Sequence, residues 1–66
     1  MQNLKIKNKV KNYRVWKRIN QEYFAKEIKI SVYHLRQIEN NFKYPKYQVR
    51  SRICKYFNVK PDQMFG

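Results

Sequence analysis

The chain is poor in the residues that usually build chemistry into a small protein: it has one cysteine, one histidine, one glycine, two prolines and four acidic residues in a total of 66. A single cysteine, Cys54, cannot close an internal disulfide, and with His34 as the one imidazole no plausible set of zinc ligands can be assembled. No metal or cofactor is expected, and the domain must stand on its hydrophobic core. The few carboxylates are scattered and there is no Gly-rich phosphate loop, so no catalytic constellation is available and the chain is not expected to be an enzyme. No apolar run reaches the roughly 7 to 15 residues of a signal-peptide core or the roughly 20 of a membrane span. A cytoplasmic protein that makes no use of a membrane is therefore expected.

What is present is charge and aromatic surface. Sixteen Lys and Arg against four acids give a formal net charge of +12, a field that seeks a polyanion. Part of this charge has a duller origin, because usage is rich in Lys, Asn, Ile and Tyr and poor in Gly and Ala, as A+T-rich coding produces. Hydrophobic residues at 42% and aromatics at 17% favour a folded domain over a disordered basic tail. Sixty-six residues make one domain at most, near the lower size limit for a core that stands alone.

The apolar spacing predicts five helices and no strand, an all-α fold over residues 1–66. Ile6, Val10 and Tyr13 lie at i, i+4, i+7 and place helix 1 at about 6–17. Asn20 is a good N-cap before Phe24, Ala25 and Ile28, giving helix 2 at 21–28. Ser31 is a second N-cap three residues later, with Leu35 and Ile38 behind it, giving helix 3 at 32–40. Two short helices joined by so short a turn are the pattern of a helix-turn-helix. Asn40 and Asn41 close helix 3, Tyr44 and Pro45 mark a loop, and Val49, Ile53, Cys54, Tyr56 and Phe57 give helix 4 at 46–57. Pro61, with Asp62 beside it, opens a last helix at 61–65.

Helix 3 sorts into two faces. Leu35 and Ile38 point at the core, while Val32, Tyr33, Arg36, Gln37 and Asn40 form the opposite stripe. A major groove admits one helix and distinguishes bases by donors, acceptors and the thymine methyl. On that stripe Arg36 offers a fork to guanine, Gln37 a pair to adenine, Val32 a surface for a methyl, and Tyr33 a ring or a hydroxyl. The duller reading, a solvated surface helix, is weakened by two apolar residues, Val32 and Tyr33, expected to be exposed together in a strongly positive field. Lys43 and Lys46 add charge on the same side, where phosphate contacts would position the helix. Lys26 and Lys29 are weaker candidates for the same work.

The run Asn20-Gln21-Glu22-Tyr23-Phe24-Ala25-Lys26-Glu27-Ile28, then Ile30-Ser31, Leu35 and Ile38-Glu39-Asn40, resembles the Cro and phage-repressor (Xre-like) helix-turn-helix family. The ending Phe57-Asn58-Val59-Lys60-Pro61-Asp62-Gln63-Met64-Phe65 is similar to that family's closing segment, so the likeness spans about residues 6–65. It implies a compact five-helix, lambda-repressor-like domain and a sequence-specific DNA-binding regulator, a Cro-like repressor, with helix 3 in the major groove. It further implies phosphate-facing roles for Asn20, Gln21 and Asn40, and a partly buried structural ion pair between Arg14 and Glu39. The duller alternative for Arg14 is a contact to DNA phosphate. A dimer contact is implied at Phe57, Asn58, Val59, Lys60, Met64 and Phe65. The chain departs from the family where glycine is usual: Arg18, Lys29 and Asn41 occupy those three helix ends. If the left-handed conformation is kept there, Arg18 and Lys29 each cost roughly 1 kcal/mol.

The expected partner is double-stranded DNA carrying a palindromic operator. With the chain ending at Gly66, any dimer is expected to use this domain itself, as a monomer or weak homodimer in solution that pairs on DNA. A small basic adaptor or phage-encoded inhibitor, binding RNA or another protein with the same fold, is the alternative. Cys54 reads as a reduced core thiol and His34 as an ordinary exposed imidazole. Val15 and Trp16 fall off the core stripe of helix 1, and the sequence leaves open whether they are plain surface, a cover for the N-terminal segment or a protein contact.

Overall fold

The computed structural model describes residues 8–66, which form five helices in the order α1 (Val10–Trp16), α2 (Gln21–Glu27), α3 (Val32–Glu39), α4 (Tyr47–Phe57) and α5 (Pro61–Phe65). Among the described residues there is no strand. The architecture is all-α, with α2 and α3 forming the helix-turn-helix pair.

Helix starts follow local chemistry. The Asn20 side chain accepts from the Tyr23 N–H at 2.8 Å, and Ser31 Oγ accepts from the His34 N–H at 3.0 Å, each satisfying a donor that a helix leaves free. At α5 the cap is reversed: Gln63 Oε1 accepts from the Lys60 N–H at 2.8 Å, and Pro61 occupies the first turn where no N–H is needed. Helix α1 begins at Val10, four residues after the periodicity predicts. Asn8 is the reason. Its Oδ1 accepts from the Val10 N–H at 3.1 Å, while its Nδ2 donates to the Ile38 carbonyl and to Asn41 Oδ1, both at 2.9 Å. The Lys9 N–H donates to the Met64 carbonyl at 2.9 Å, so residues 8 and 9 join α1 to the ends of α3 and α5 before the helix starts. Ile6, assigned to helix 1 from its spacing, lies outside the described residues.

Four helices end in one way with no glycine to help them. Arg18, Lys29, Asn41 and Asn58 all have φ between 57° and 63°. The next residue in each case sends its N–H back to a carbonyl five positions earlier: Ile19 to Arg14, Ile30 to Ala25, Phe42 to Gln37 and Val59 to Cys54. This is the Schellman arrangement, in which a left-handed residue turns the chain and the residue after it packs on the helix just finished. Ile19, Ile30 and Val59 do pack against the core. Phe42 does not, and stays 74% exposed. The left-handed geometry is thus kept at Arg18 and Lys29, although neither is glycine.

The core draws on every helix: Val10, Phe24, Ala25, Ile28, Leu35, Ile38, Val49, Ile53, Cys54, Phe57 and Met64 are buried together. Phe24 and Phe57 meet at 5.2 Å between ring centroids, with Tyr13 5.4 Å from Phe57 and Tyr56 5.1 Å from Phe24. Phe57 and Met64 were expected at a dimer contact. In a domain this small both are drawn into the core, which leaves them little surface to offer a partner.

Candidate nucleic-acid interface

The outward face of α3 is set by Leu35 and Ile38, which are fully buried and so turn Tyr33, Arg36 and Asn40 to solvent. Tyr33 is 69% exposed. Gln37 is half-buried at the edge of the same face. Val32 is a correction: it was expected to stand exposed beside Tyr33, yet it is half-buried and packs against the core. The first turn of α3 follows so closely on α2 that its leading side chain folds back onto the domain. Only the exposed part of Val32 is left for contact.

On one flank of this face runs a chain of polar contacts from the interior to the surface. Arg14 is buried, and its Nε donates to Glu39 Oε2 at 2.6 Å while Nη2 donates to Oε1 at 3.2 Å. Its remaining terminal nitrogen donates to the Ile19 carbonyl at 2.9 Å. A buried guanidinium with this many acceptors has little left to offer a phosphate, so the structure places Arg14 between α1 and α3. Gln21 joins the same carboxylate, its Nε2 donating to Glu39 Oε1 at 3.0 Å. Gln21 Oε1 then accepts from Arg36 Nε at 3.1 Å. Asn20 is exposed, with its side-chain oxygen engaged at the cap of α2.

The other flank is basic. His34, Lys43, Tyr44, Lys46, Gln48, Val49 and Arg52 line a groove of about 280 Å³ between α3, the loop 40–46 and the start of α4. Beside it Tyr33, Gln37, His34 and Lys43 enclose a cleft of about 170 Å³, so the groove continues onto the α3 face. Lys43 and Lys46 stand exposed where the sequence put them. Asn40 is exposed at the end of α3, where its own N–H closes the helix onto the Arg36 carbonyl. Lys26 and Lys29 are exposed on and after α2.

Three members of the basic flank were missed from sequence. His34, read as an ordinary exposed imidazole, is half-buried in the groove. Gln48 and Arg52 share a face of α4 at i, i+4, a spacing visible in the sequence whose meaning depends on what the face meets. Arg52 also ties α4 to α2, since its Nη1 donates to the Ile28 carbonyl at 3.2 Å.

Of the six residues expected at a dimer contact, Asn58 and Lys60 are exposed and Val59 and Phe65 half-buried, while Phe57 and Met64 are in the core. The Tyr44 ring meets Phe65 edge-on at 5.9 Å, and the Arg50 guanidinium lies 5.2 Å from the Tyr44 centroid and 5.9 Å from that of Tyr47. Val15 and Trp16 stay exposed on α1, at 55% and 74%. Cys54 is buried in α4, and burial pushes its thiol above the ordinary range, with Arg50 opposing the shift. Among the described residues no cluster of His, Cys, Asp and Glu is fit to hold a metal, and no helix is long and apolar enough to cross a membrane.

No curated protein matches the chain. A family model described as helix-turn-helix matches residues 10–64, from the first residue of α1 into α5. That span covers α1 to α4 and all but the last residue of α5, with the α2–α3 pair and both flanks of its outer face, and the chain accordingly belongs to the Cro and phage-repressor type of helix-turn-helix family, whose members bind DNA and regulate transcription.

Proposed function

We propose that this chain is a Cro-like repressor of the kind carried by phages or mobile elements, acting in the cytoplasm on a palindromic operator. Tyr33, Arg36 and Gln37 read base edges in the major groove, with the exposed part of Val32 at the margin. Asn20, Asn40, Lys43 and Lys46 meet phosphates on either side, and His34, Gln48 and Arg52 extend the second row. Arg14 and Glu39 contribute by holding α1 and α3 in register. The observation that carries this reading is the order of groups across one face: hydrogen-bonding side chains on the exposed side of α3 flanked by a groove rich in Lys and Arg. Phosphate contacts fix register on the duplex and base-edge contacts carry the sequence, so a functional reader needs both in this relative order.

Repression then needs no further chemistry. A domain seated on an operator excludes other proteins from the same stretch of duplex, and the extent of occupancy follows from affinity and selectivity alone. Selection of binding sites from random duplex DNA tests the reading. Enrichment of a short palindrome, retained against competitor DNA, is expected. Binding without palindromic preference, or preferential retention of RNA, would instead favour the basic-adaptor reading.

A further inference from the structure

We infer that Gln21 is a positioning residue for Arg36, so that the base preference of α3 is set in part from the first residue of α2. The inference rests on the DNA-reading role proposed above and changes the part assigned to Gln21. The likeness to the family gave Gln21 to phosphate. In the structure each end of its amide already has a protein partner: Nε2 donates one of its two N–H groups to Glu39 Oε1 at 3.0 Å, and Oε1 accepts from Arg36 Nε at 3.1 Å.

The orientation of that amide follows from chemistry. An ionised carboxylate only accepts hydrogen bonds and a guanidinium only donates them. Between Glu39 and Arg36 the Gln21 amide therefore has one arrangement that satisfies both neighbours, NH₂ toward the carboxylate and oxygen toward the guanidinium. Glu39 is itself fixed by two bonds from buried Arg14. Order passes outward from a buried ion pair, through a half-buried amide, to an exposed guanidinium that would otherwise sample many rotamers.

The bond from Gln21 uses the Nε–H of Arg36 and leaves the N–H groups of its two terminal nitrogens, the end of the fork, for DNA. Fixing the guanidinium plane before binding lowers the ordering cost of a two-point contact to guanine and penalises any base that needs another plane. A phosphate contact would draw less benefit, since phosphate oxygens accept from many directions.

Gln21→Met keeps the side chain's length and bulk and removes both hydrogen bonds. Arg36→Lys, at an exposed position that the core does not need, keeps the charge and removes the Nε–H. The order of the Arg36 Nε–H is measured by ¹⁵N relaxation in the free protein, and base preference by binding to a panel of operators altered one base pair at a time. The expected result is a mobile Arg36 Nε–H in Gln21→Met. Each single variant should lose preference at the same base pair, by roughly 5- to 100-fold, and the double variant should lose no more than either. An Arg36 Nε–H equally ordered in wild type and Gln21→Met overturns the inference. So does a Gln21→Met variant that weakens all operators alike while the Arg36-dependent preference survives. If Arg36 is ordered by Gln21 but the wild type selects no DNA sequence, the DNA-reading role has failed and takes the inference with it.

Discussion

Arg14 on α1 and Glu39 at the end of α3 lie 25 residues apart in the chain and close a buried two-point ion pair, with Nε 2.6 Å from Oε2. Removing one partner leaves the other charged, desolvated and unpaired, a loss of about 3 to 5 kcal/mol. A domain of this size has a total stability of roughly 3 to 10 kcal/mol, so Glu39→Ala is expected to lose a third or more of it and to melt at a clearly lower temperature. Replacing both members, as Arg14→Met with Glu39→Leu, removes the uncompensated charge and should recover most of the loss. Urea denaturation of the wild type and the two variants checks this. A Glu39→Ala protein as stable as wild type would show that the pair carries no weight.

The four left-handed helix ends make a second prediction, with the opposite sign. A side chain at positive φ costs about 1 to 2 kcal/mol, and glycine removes that strain while adding roughly 0.5 to 1 kcal/mol of unfolded-state entropy. Lys29→Gly, and independently Arg18→Gly, should therefore raise stability by up to about 1 kcal/mol. Asn41→Ala and Asn58→Ala should lower it, because Asn tolerates the conformation better than Ala does. The midpoints of denaturant titrations give the signs directly, and a destabilised Lys29→Gly would mean that the Lys29 side chain makes a contact worth more than the strain.

These positions also show what could be read in the chain and what could not. Asn20 and Ser31 announce their helices because a cap is local: one side chain bonds one N–H three residues on. The core stripe was legible for the same reason, since Phe24, Ala25, Ile28, Leu35, Ile38 and Ile53 repeat at the helical period. The start of α1 was not, because Asn8 ends the approach through bonds to Ile38 and Asn41, thirty and more residues away. Phe57 and Met64 were misplaced through the likeness to the family, which names a surface segment without saying which of its side chains the core consumes. The outer face of α3 followed from periodicity at Tyr33, Arg36 and Asn40 but not at Val32, and the groove of His34, Gln48 and Arg52 exists only once α4 lies beside α3.

Cys54 gives a prediction about pH. Its neutral form is favoured in the folded chain, chiefly by burial, so its folded pKa lies above the ordinary 9.0. The unfolded thiol ionises first as pH rises. Stability from this group is thus fully present below about pH 9 and declines between the unfolded and folded values. Cys54→Ala should flatten that part of the curve in equilibrium denaturation between pH 8 and pH 10.5. Alkylation of Cys54 in the native protein should be slow and should accelerate with urea, since the thiolate forms readily only in the opened chain.

Salt is expected to weaken DNA binding steeply. With about four to six phosphates neutralised per subunit, the log affinity of a bound pair should fall with log salt at a slope of roughly −7 to −11. Lys43→Ala and Lys46→Ala, both in the groove beside α3, should each make the slope of a bound pair shallower by about 2, one phosphate per subunit, and leave base preference unchanged. A slope near zero in the wild type would count against DNA as the partner, and a changed base preference in either lysine variant would move that lysine to the base-reading row.

Assembly follows from how little surface remains for it. One α3 helix spans about half a turn of duplex, and selectivity in a genome calls for two half-sites about one turn, roughly 34 Å, apart. With Phe57 and Met64 in the core, the contact expected near the C-terminus is reduced to Asn58, Val59, Lys60 and Phe65, with Tyr44 packed against Phe65. A stable protein interface usually buries about 1,200 to 2,000 Å², with some 20 to 30 residues on each side, far more than this patch supplies. The repulsion of two chains at +12 acts against it as well. A monomer or weak dimer is therefore expected in free solution, with pairing completed on DNA, where phosphates screen the charge. Phe65→Ala should reduce cooperativity on a palindrome and leave half-site affinity nearly unchanged. Sedimentation with and without a palindromic duplex decides the matter: a tight dimer without DNA, or one chain per intact palindrome at saturation, would sink the model, because either result requires a larger contact surface or a different mode of reading.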